Sequence, residues 1–247
     1  MSKPQPRELI VIKKDQISPN MLRITLGGPN MSNFPENQES GYVKLIFPNG
    51  DSKPLLRTYT IRHQRDNEID IDFMLHQDGG PAATWAQLSQ INDSIMIGGP
   101  GPKKMIAQPA DWHLLVGDMT ALPAISVNLE QLAANAKGYA VIEVVSADDI
   151  LDLKHPKGVE MKWIINTHPG EDSASLLNEV KSLPWPDGKV SAWVACEFSS
   201  MKLLRQFFKK EKMLSNDCLY ISSYWKLGSN EDQHKVVKRN DAEEDMI

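Results

Sequence analysis

The tetrapeptide Arg57-Thr58-Tyr59-Thr60 puts a planar cationic fork and an aromatic ring two positions apart, hence on one face of an extended segment. An arginine can clamp a diphosphate through parallel N–H donors, and a tyrosine ring can stack on a flat heterocycle. Thr60 adds a hydroxyl and backbone groups within reach of a ring nitrogen. Taken alone, these four residues are equally an ordinary stretch of strand. Further on, His76-Gln77-Asp78-Gly79-Gly80-Pro81-Ala82-Ala83-Thr84-Trp85-Ala86 reads as a Gly-Gly turn opening a helix. The first N–H groups and the positive end of that helix suit a diphosphate, with the Thr84 hydroxyl beside them. The plain alternative is a strand–turn–helix connection with left-handed glycines. Two such motifs on neighbouring elements favour ligand chemistry more than either does alone.

The elements that must position these residues come in two kinds. Before residue 109, Met21–Leu26, Tyr42–Phe47, Arg57–Arg62 and Ile69–Leu75 are short, β-branched or alternating runs bounded by Gly, Pro and Asn. In the last of these, period two sends Ile69, Ile71, Phe73 and Leu75 to one face and Asp70, Asp72, Met74 and His76 to the other. Several short strands with one helix over Pro81–Ser89 predict an antiparallel barrel or sandwich. After Gly98-Gly99-Pro100-Gly101-Pro102, the pattern becomes strand then helix, repeated. Strands are expected at Trp112–Val116, Ala140–Val145, Met161–Ile165 and Val190–Ala195, with helices at Ala121–Ala134, Ala174–Lys181 and Ser199–Lys210. That alternation predicts a parallel α/β sheet with helices on both faces. The expected domains are therefore 1–109 and 110–247, the second ending in a charged tail that forms a surface helix or stays partly disordered.

Two strand ends in the second half could also do chemistry. Gly117-Asp118-Met119-Thr120-Ala121-Leu122-Pro123-Ala124 lies at a strand-to-helix turn, where open α/β sheets bind ligands. It lacks G-x-G-x-x-G, so a tightly held dinucleotide is not expected there, whereas a transient nicotinamide donor is. Helix capping by Asp118 reads equally well. Cys196 closes another strand on the same edge, either as a thiol near a hydride donor or as a small buried residue.

Composition narrows the classes. The chain has 247 residues, 41% hydrophobic and 24% charged, with a net charge of -5, and this gives no global argument for nucleic acid or an anionic membrane. The N-terminus leads into no apolar run, no stretch suits a membrane span, and two cysteines cannot build a disulfide framework. A reduced, cytoplasmic, monomeric protein is expected. The six histidines fall at no metal-ligand spacing, and no Walker pattern or nucleophile–base pair stands out. No catalytic side chain and no resident metal are expected, which suits chemistry performed by a cofactor.

R-T-Y-T, I-D-F-M-L-H, G-G-P-A-A-T-W-A, I-G-G-P-G-P, G-D-M-T-A-L-P-A-I and Y-W-K-L-G occur in this order from about residue 8 to 228. The series resembles the siderophore-interacting protein family of FAD-dependent ferric-siderophore reductases, relatives of the ferredoxin reductases. The resemblance implies an antiparallel FAD-binding β-barrel followed by a nicotinamide-binding-type α/β domain, with NADH, NADPH or reduced ferredoxin as donor. It implies reduction of siderophore-bound Fe(III) to Fe(II). Arg57, Thr58, Tyr59 and Thr60 would contact the flavin ring and phosphates, with Asp72, Phe73 and His76 lining it. Gly80, Pro81, Ala82, Ala83 and Thr84 would hold the diphosphate, and Asp118, Thr120 and Ala121 would serve the donor. Met119 stands where the family has an acid, and Cys196 where it more often has Gly. Lys44, Lys103, Lys104 and Lys226 match a small cationic cluster of the family and would bind an anionic, catecholate-type ferric siderophore. A charge pair at ~4 Å is worth roughly 4 kcal/mol at an effective dielectric of ~20, so a few lysines suffice on an acidic protein. Other readings of the chain are a general NAD(P)H:flavin or ferredoxin reductase, a non-catalytic siderophore-binding module, and a structural protein that would leave the flavin motifs unexplained.

Overall fold

In the computed structural model, which describes residues 5–75 and 79–244, the chain forms two compact units, Met1–Lys104 and Met105–Ile247. The first is a closed antiparallel barrel of six strands: β1 (Arg7–Ser18), β2 (Met21–Gly27), β3 (Tyr42–Phe47), β4 (Leu55–Arg65), β5 (Glu68–Met74) and β6 (Ser94–Gly101). They run in the spatial order β1-β2-β5-β4-β3-β6. Four of these strands follow the alternating runs of the sequence. β1 and β6 are additions. β1 begins apolar but continues Lys-Lys-Asp-Gln, and β6 ends Gly-Gly-Pro-Gly, poor strand material on its own. Pairing of Arg7 to Ile10 of β1 with Ile97 to Ser94 of β6 closes the barrel and satisfies both backbones.

The inward faces carry Leu9, Val11, Ile24, Leu26, Val43, Leu45, Ile61, Ile69, Ile71 and Phe73, all without exposure. Helix α1 (Pro81–Leu88) adds Ala82 and Ala86 to this core. The outer face of β5 is also buried, although its residues are acidic. Asp72 is held by both donors of the Arg23 fork, at 2.6 and 2.7 Å. Asp70 accepts from Thr25 at 2.8 Å and from the Arg65 fork at 2.7 and 2.9 Å, with the His63 ring 3.0 Å away. Burial pushes the Asp70 carboxyl up, but hydrogen bonds from His63, Arg65 and Thr25 outweigh it and hold the group well below the usual carboxylate range.

The second unit is a five-stranded parallel sheet of β7 (Trp112–Gly117), β8 (Lys137–Val144), β9 (Gly158–Ile165), β10 (Val190–Glu197) and β11 (Leu219–Trp225), ordered β11-β10-β7-β8-β9. Every residue of the neighbouring β7 and β10 is buried, as expected for strands covered on both faces. Helices α2 (Leu122–Gln131), α3 (Ser175–Ser182) and α4 (Phe198–Gln206) connect them, and α4 continues through a π-helical turn, Phe207–Glu211. The charged tail forms α5 (Glu231–Glu244). It is docked rather than loose: buried His234 meets Ser223 of β11 at 2.8 Å, and Asp241 receives both donors of Arg205 at 2.7 Å. No helix among the described residues is long and apolar enough to cross a membrane.

Candidate functional site

The barrel brings Arg57 and Tyr59 to one face of β4. Their partners across the ladder are Leu45 and Val43, both fully buried, yet Arg57 and Tyr59 keep partial exposure. The core face therefore opens to solvent at these two side chains. Tyr59 packs on Phe73 with ring centroids 4.5 Å apart, and Phe73 meets Trp85 of α1 at 5.9 Å. One aromatic column thus ties the R-T-Y-T strand to the helix that follows the Gly-Gly pair. Such contacts are worth about 0.5–1.5 kcal/mol each beyond area burial. Phe73 itself is wholly enclosed and packs behind Tyr59. Trp85 was not singled out from the sequence, because only the barrel's closure carries α1 to Phe73.

At the start of α1, Gly80 is the N-cap with φ −66° and ψ 177°, a conformation open to any residue. A Cβ added there meets nothing within 4 Å. Gly80 is therefore not one of the left-handed glycines of a plain connection, and packing does not demand it either. Its lack of a side chain leaves the helix end approachable. Pro81 has no N–H to orphan, Thr84 N donates to Gly80 O at 3.1 Å, and helical geometry leaves the Ala82 and Ala83 amides as end donors. Ala82 and Ala83 are buried, and exposed Thr84 donates its hydroxyl to Gly79 O at 3.1 Å. An arginine fork, a supported tyrosine and a helix end that no side chain caps suit a flavin dinucleotide.

The remaining expected residues are placed apart from this group. Thr58 and Thr60 lie on the other face of β4, opposite Lys44 and Tyr42 respectively. Asp72 points to the outer face of the barrel and is engaged by Arg23, a partner 49 residues away that only sheet register reveals. His76 lies outside the described residues. Lys44 is half-buried beside Gly98, Lys103 is half-buried, and Lys104 is exposed with its backbone paired to Ser40. In the second unit the Lys226 ammonium sits 5.0 Å from the centroid of the Phe198 ring.

At the carboxyl edge of the parallel sheet, Asp118 is buried and fully engaged. It accepts from Thr120 N at 2.9 Å, Thr120 Oγ1 at 2.5 Å, Glu197 N at 2.9 Å and Trp225 Nε1 at 2.8 Å. Desolvation pushes its carboxyl up against those donors. Ala121 is enclosed: a Cβ on Gly117 would lie 2.8 Å from the Ala121 methyl and 2.6 Å from Ala195 O, so the glycine is what lets α2 approach the strands. Cys196 is fully buried among apolar side chains, and burial raises its thiol well above the ordinary value. It closes the strand and is not presented to a donor. Among the described residues, no group of three or more His, Cys, Asp or Glu could hold a metal ion.

Residues 10–53 and 48–104 match the model of the siderophore-interacting FAD-binding domain, and residues 110–228 match that of the siderophore-interacting protein. The chain belongs to the siderophore-interacting protein family. This siderophore-interacting protein is 36% identical over 251 residues to the ferric vibriobactin reductase ViuB of Vibrio cholerae, covering 93% of this chain and 92% of that one. It is 27% identical over 228 residues to the NADPH-dependent ferric-chelate reductase of Escherichia coli, covering 83% and 87%. Among solved structures it superposes on the siderophore-interacting protein SipS of Aeromonas hydrophila with a TM-score of 0.87 and 31% identity, covering 96% and 98%. The FAD-binding match contains Arg57–Thr60 and the opening of α1, the two features that the barrel joins.

Proposed function

We propose that this protein is a cytoplasmic, monomeric FAD-dependent reductase that converts siderophore-bound Fe(III) to Fe(II), drawing electrons from NADH, NADPH or a reduced ferredoxin. The observation that carries this reading is the aromatic column from Tyr59 through Phe73 to Trp85, which holds the R-T-Y-T strand against a helix end that no side chain caps. FAD, when bound, matches a two-electron donor to a one-electron acceptor such as ferric iron. The residues of the chain bind and orient. Arg57 and the Ala82 and Ala83 amides hold the diphosphate, with the Thr84 hydroxyl beside them, and Gly80 and Pro81 give it access. Tyr59 presents its ring to the flavin, while Thr58 and Thr60, whose side chains take the other face of β4, offer it their backbone groups. Lys44, Lys103, Lys104 and Lys226 attract an anionic, catecholate-type ferric siderophore. Thr120, at the turn into α2, faces the donor.

The test is reduction of a ferric catecholate siderophore by the FAD-loaded protein under anaerobic conditions, with the ferrous product trapped by a chelator. Saturable dependence on the siderophore is expected, and the Lys44→Ala/Lys103→Ala/Lys226→Ala protein should raise KM while keeping its flavin. Unchanged KM in that triple variant removes the lysine site. Turnover indifferent to the siderophore would mark a general flavin reductase instead.

A further inference from the structure

The sheet of the second unit changes direction between β7 and β10. From β7 the chain passes through α2 to β8 on one side, and from β10 through α4 to β11 on the other. The crevice outside the carboxyl ends of these two strands is where an open α/β sheet takes a ligand. A dinucleotide site there offers helix N-terminal N–H groups to the diphosphate. In this chain, the first amides of α4 are already taken by a carboxylate, and those of α2 donate to the Asp118 carbonyl.

Glu197, 2% exposed, caps α4. One carboxylate oxygen accepts from Ser199 N and from Ser200 N at 3.3 Å, and the other from Leu227 N at 3.2 Å. Asp118 closes the β7 side through its bonds to Thr120, Glu197 N and the Trp225 indole. The Trp225 ring in turn lies against Gly170, where an added Cβ would come within 2.9 Å of it. Seven donors at the crevice are therefore spent on two buried carboxylates of the protein itself. A diphosphate entering would find its N–H partners occupied by the two buried carboxyl groups.

We infer that Glu197 is a specificity-determining residue for the electron donor: together with Asp118 it keeps a dinucleotide's diphosphate out of the switch-point crevice, so nicotinamide dinucleotides bind weakly and exchange freely. This rests on the reading that a nicotinamide donor serves the flavin. It explains physically why the strand-to-helix turn lacks G-x-G-x-x-G: the glycines would admit a phosphate that the carboxylates exclude.

Calorimetric titration of the FAD-loaded protein with NADP+ and NAD+ tests this. Glu197→Ala frees the Ser199 and Ser200 amides and removes the charge, while Glu197→Gln removes the charge and keeps an acceptor. Both dissociation constants should fall, by at least about tenfold in Glu197→Ala and less in Glu197→Gln, at unchanged flavin content. A residue that merely supported the fold would not give tighter binding on removal. Equal or weaker binding in both folded variants overturns the inference, and if Glu197→Ala does not fold, Glu197→Gln decides. If NADPH reduces the flavin but neither variant gains affinity, the donor reading stands and the guard fails. If the variants gain affinity while neither NADH nor NADPH reduces the wild type, the guard stands and the donor is of another kind.

Discussion

Arg57 and Gly80 act at the scale of single residues, and for opposite reasons. Arg57 matters for what its side chain offers: a half-exposed fork that donates to the neighbouring Leu56 carbonyl at 2.9 Å. Gly80 matters for what it lacks, since neither its φ nor its packing requires a glycine. Arg57→Ala should fold normally and lose flavin, read as absorbance of bound flavin per mole of purified protein. Gly80→Ala should cost under about 1 kcal/mol of stability yet weaken FAD at least about tenfold, because the added methyl group would crowd a ligand at the helix end. A Gly80→Ala protein that binds FAD like wild type would show that the helix end is not the diphosphate site.

At the scale of elements, α5 shows how a polar segment becomes fixed. Its sequence has almost no apolar stripe, and it docks instead through His234 on Ser223, Lys238 on Ser222 Oγ at 2.7 Å, and Asp241 on Arg205. Burial, reinforced by nearby Lys238, lowers the His234 pKa from 6.5. The folded state thus binds fewer protons than the unfolded one, and stability rises with pH through the window below the unfolded value. Docking of α5 is complete above about pH 6.5 and weakens as the pH falls below it. Hydrogen exchange of residues 231–244, corrected for its intrinsic pH dependence, should rise between pH 7 and 5, and His234→Gln should flatten that rise. The acidic face of β5 follows the same sign in a lower window: the depressed Asp70 pKa contributes stability that is lost only as pH falls below the ordinary carboxylate value.

For the whole molecule, charge is the relevant quantity. The net charge of -5 opposes an anionic substrate at long range, whereas a few lysines attract it at short range. Salt screens both, with a Debye length of about 10 Å at 0.1 M. If the lysines dominate, KM for an anionic ferric siderophore should rise with ionic strength, and the triple lysine variant should lose that dependence. A wild-type KM that falls with added salt would mean that the overall negative charge governs the encounter.

The order and type of most elements were legible in the sequence, because hydrophobic period is a local property: Ile69, Ile71 and Phe73 alternate with Asp70 and Asp72 whatever the rest of the chain does. So were the six motifs that carry the family, which lie in short contiguous runs. Closure of the barrel was not, since β1 and β6 pair with each other across more than eighty residues of chain. Nor was the fate of the acids. Asp72 read as a flavin contact until the register of β2 on β5 delivered Arg23 to it, and Asp118 read as a donor contact until β10 and β11 brought Glu197 N and the Trp225 indole to its carboxylate. A buried charge takes its role from its partners, and partners separated by 49 to 107 residues are assembled only by tertiary structure.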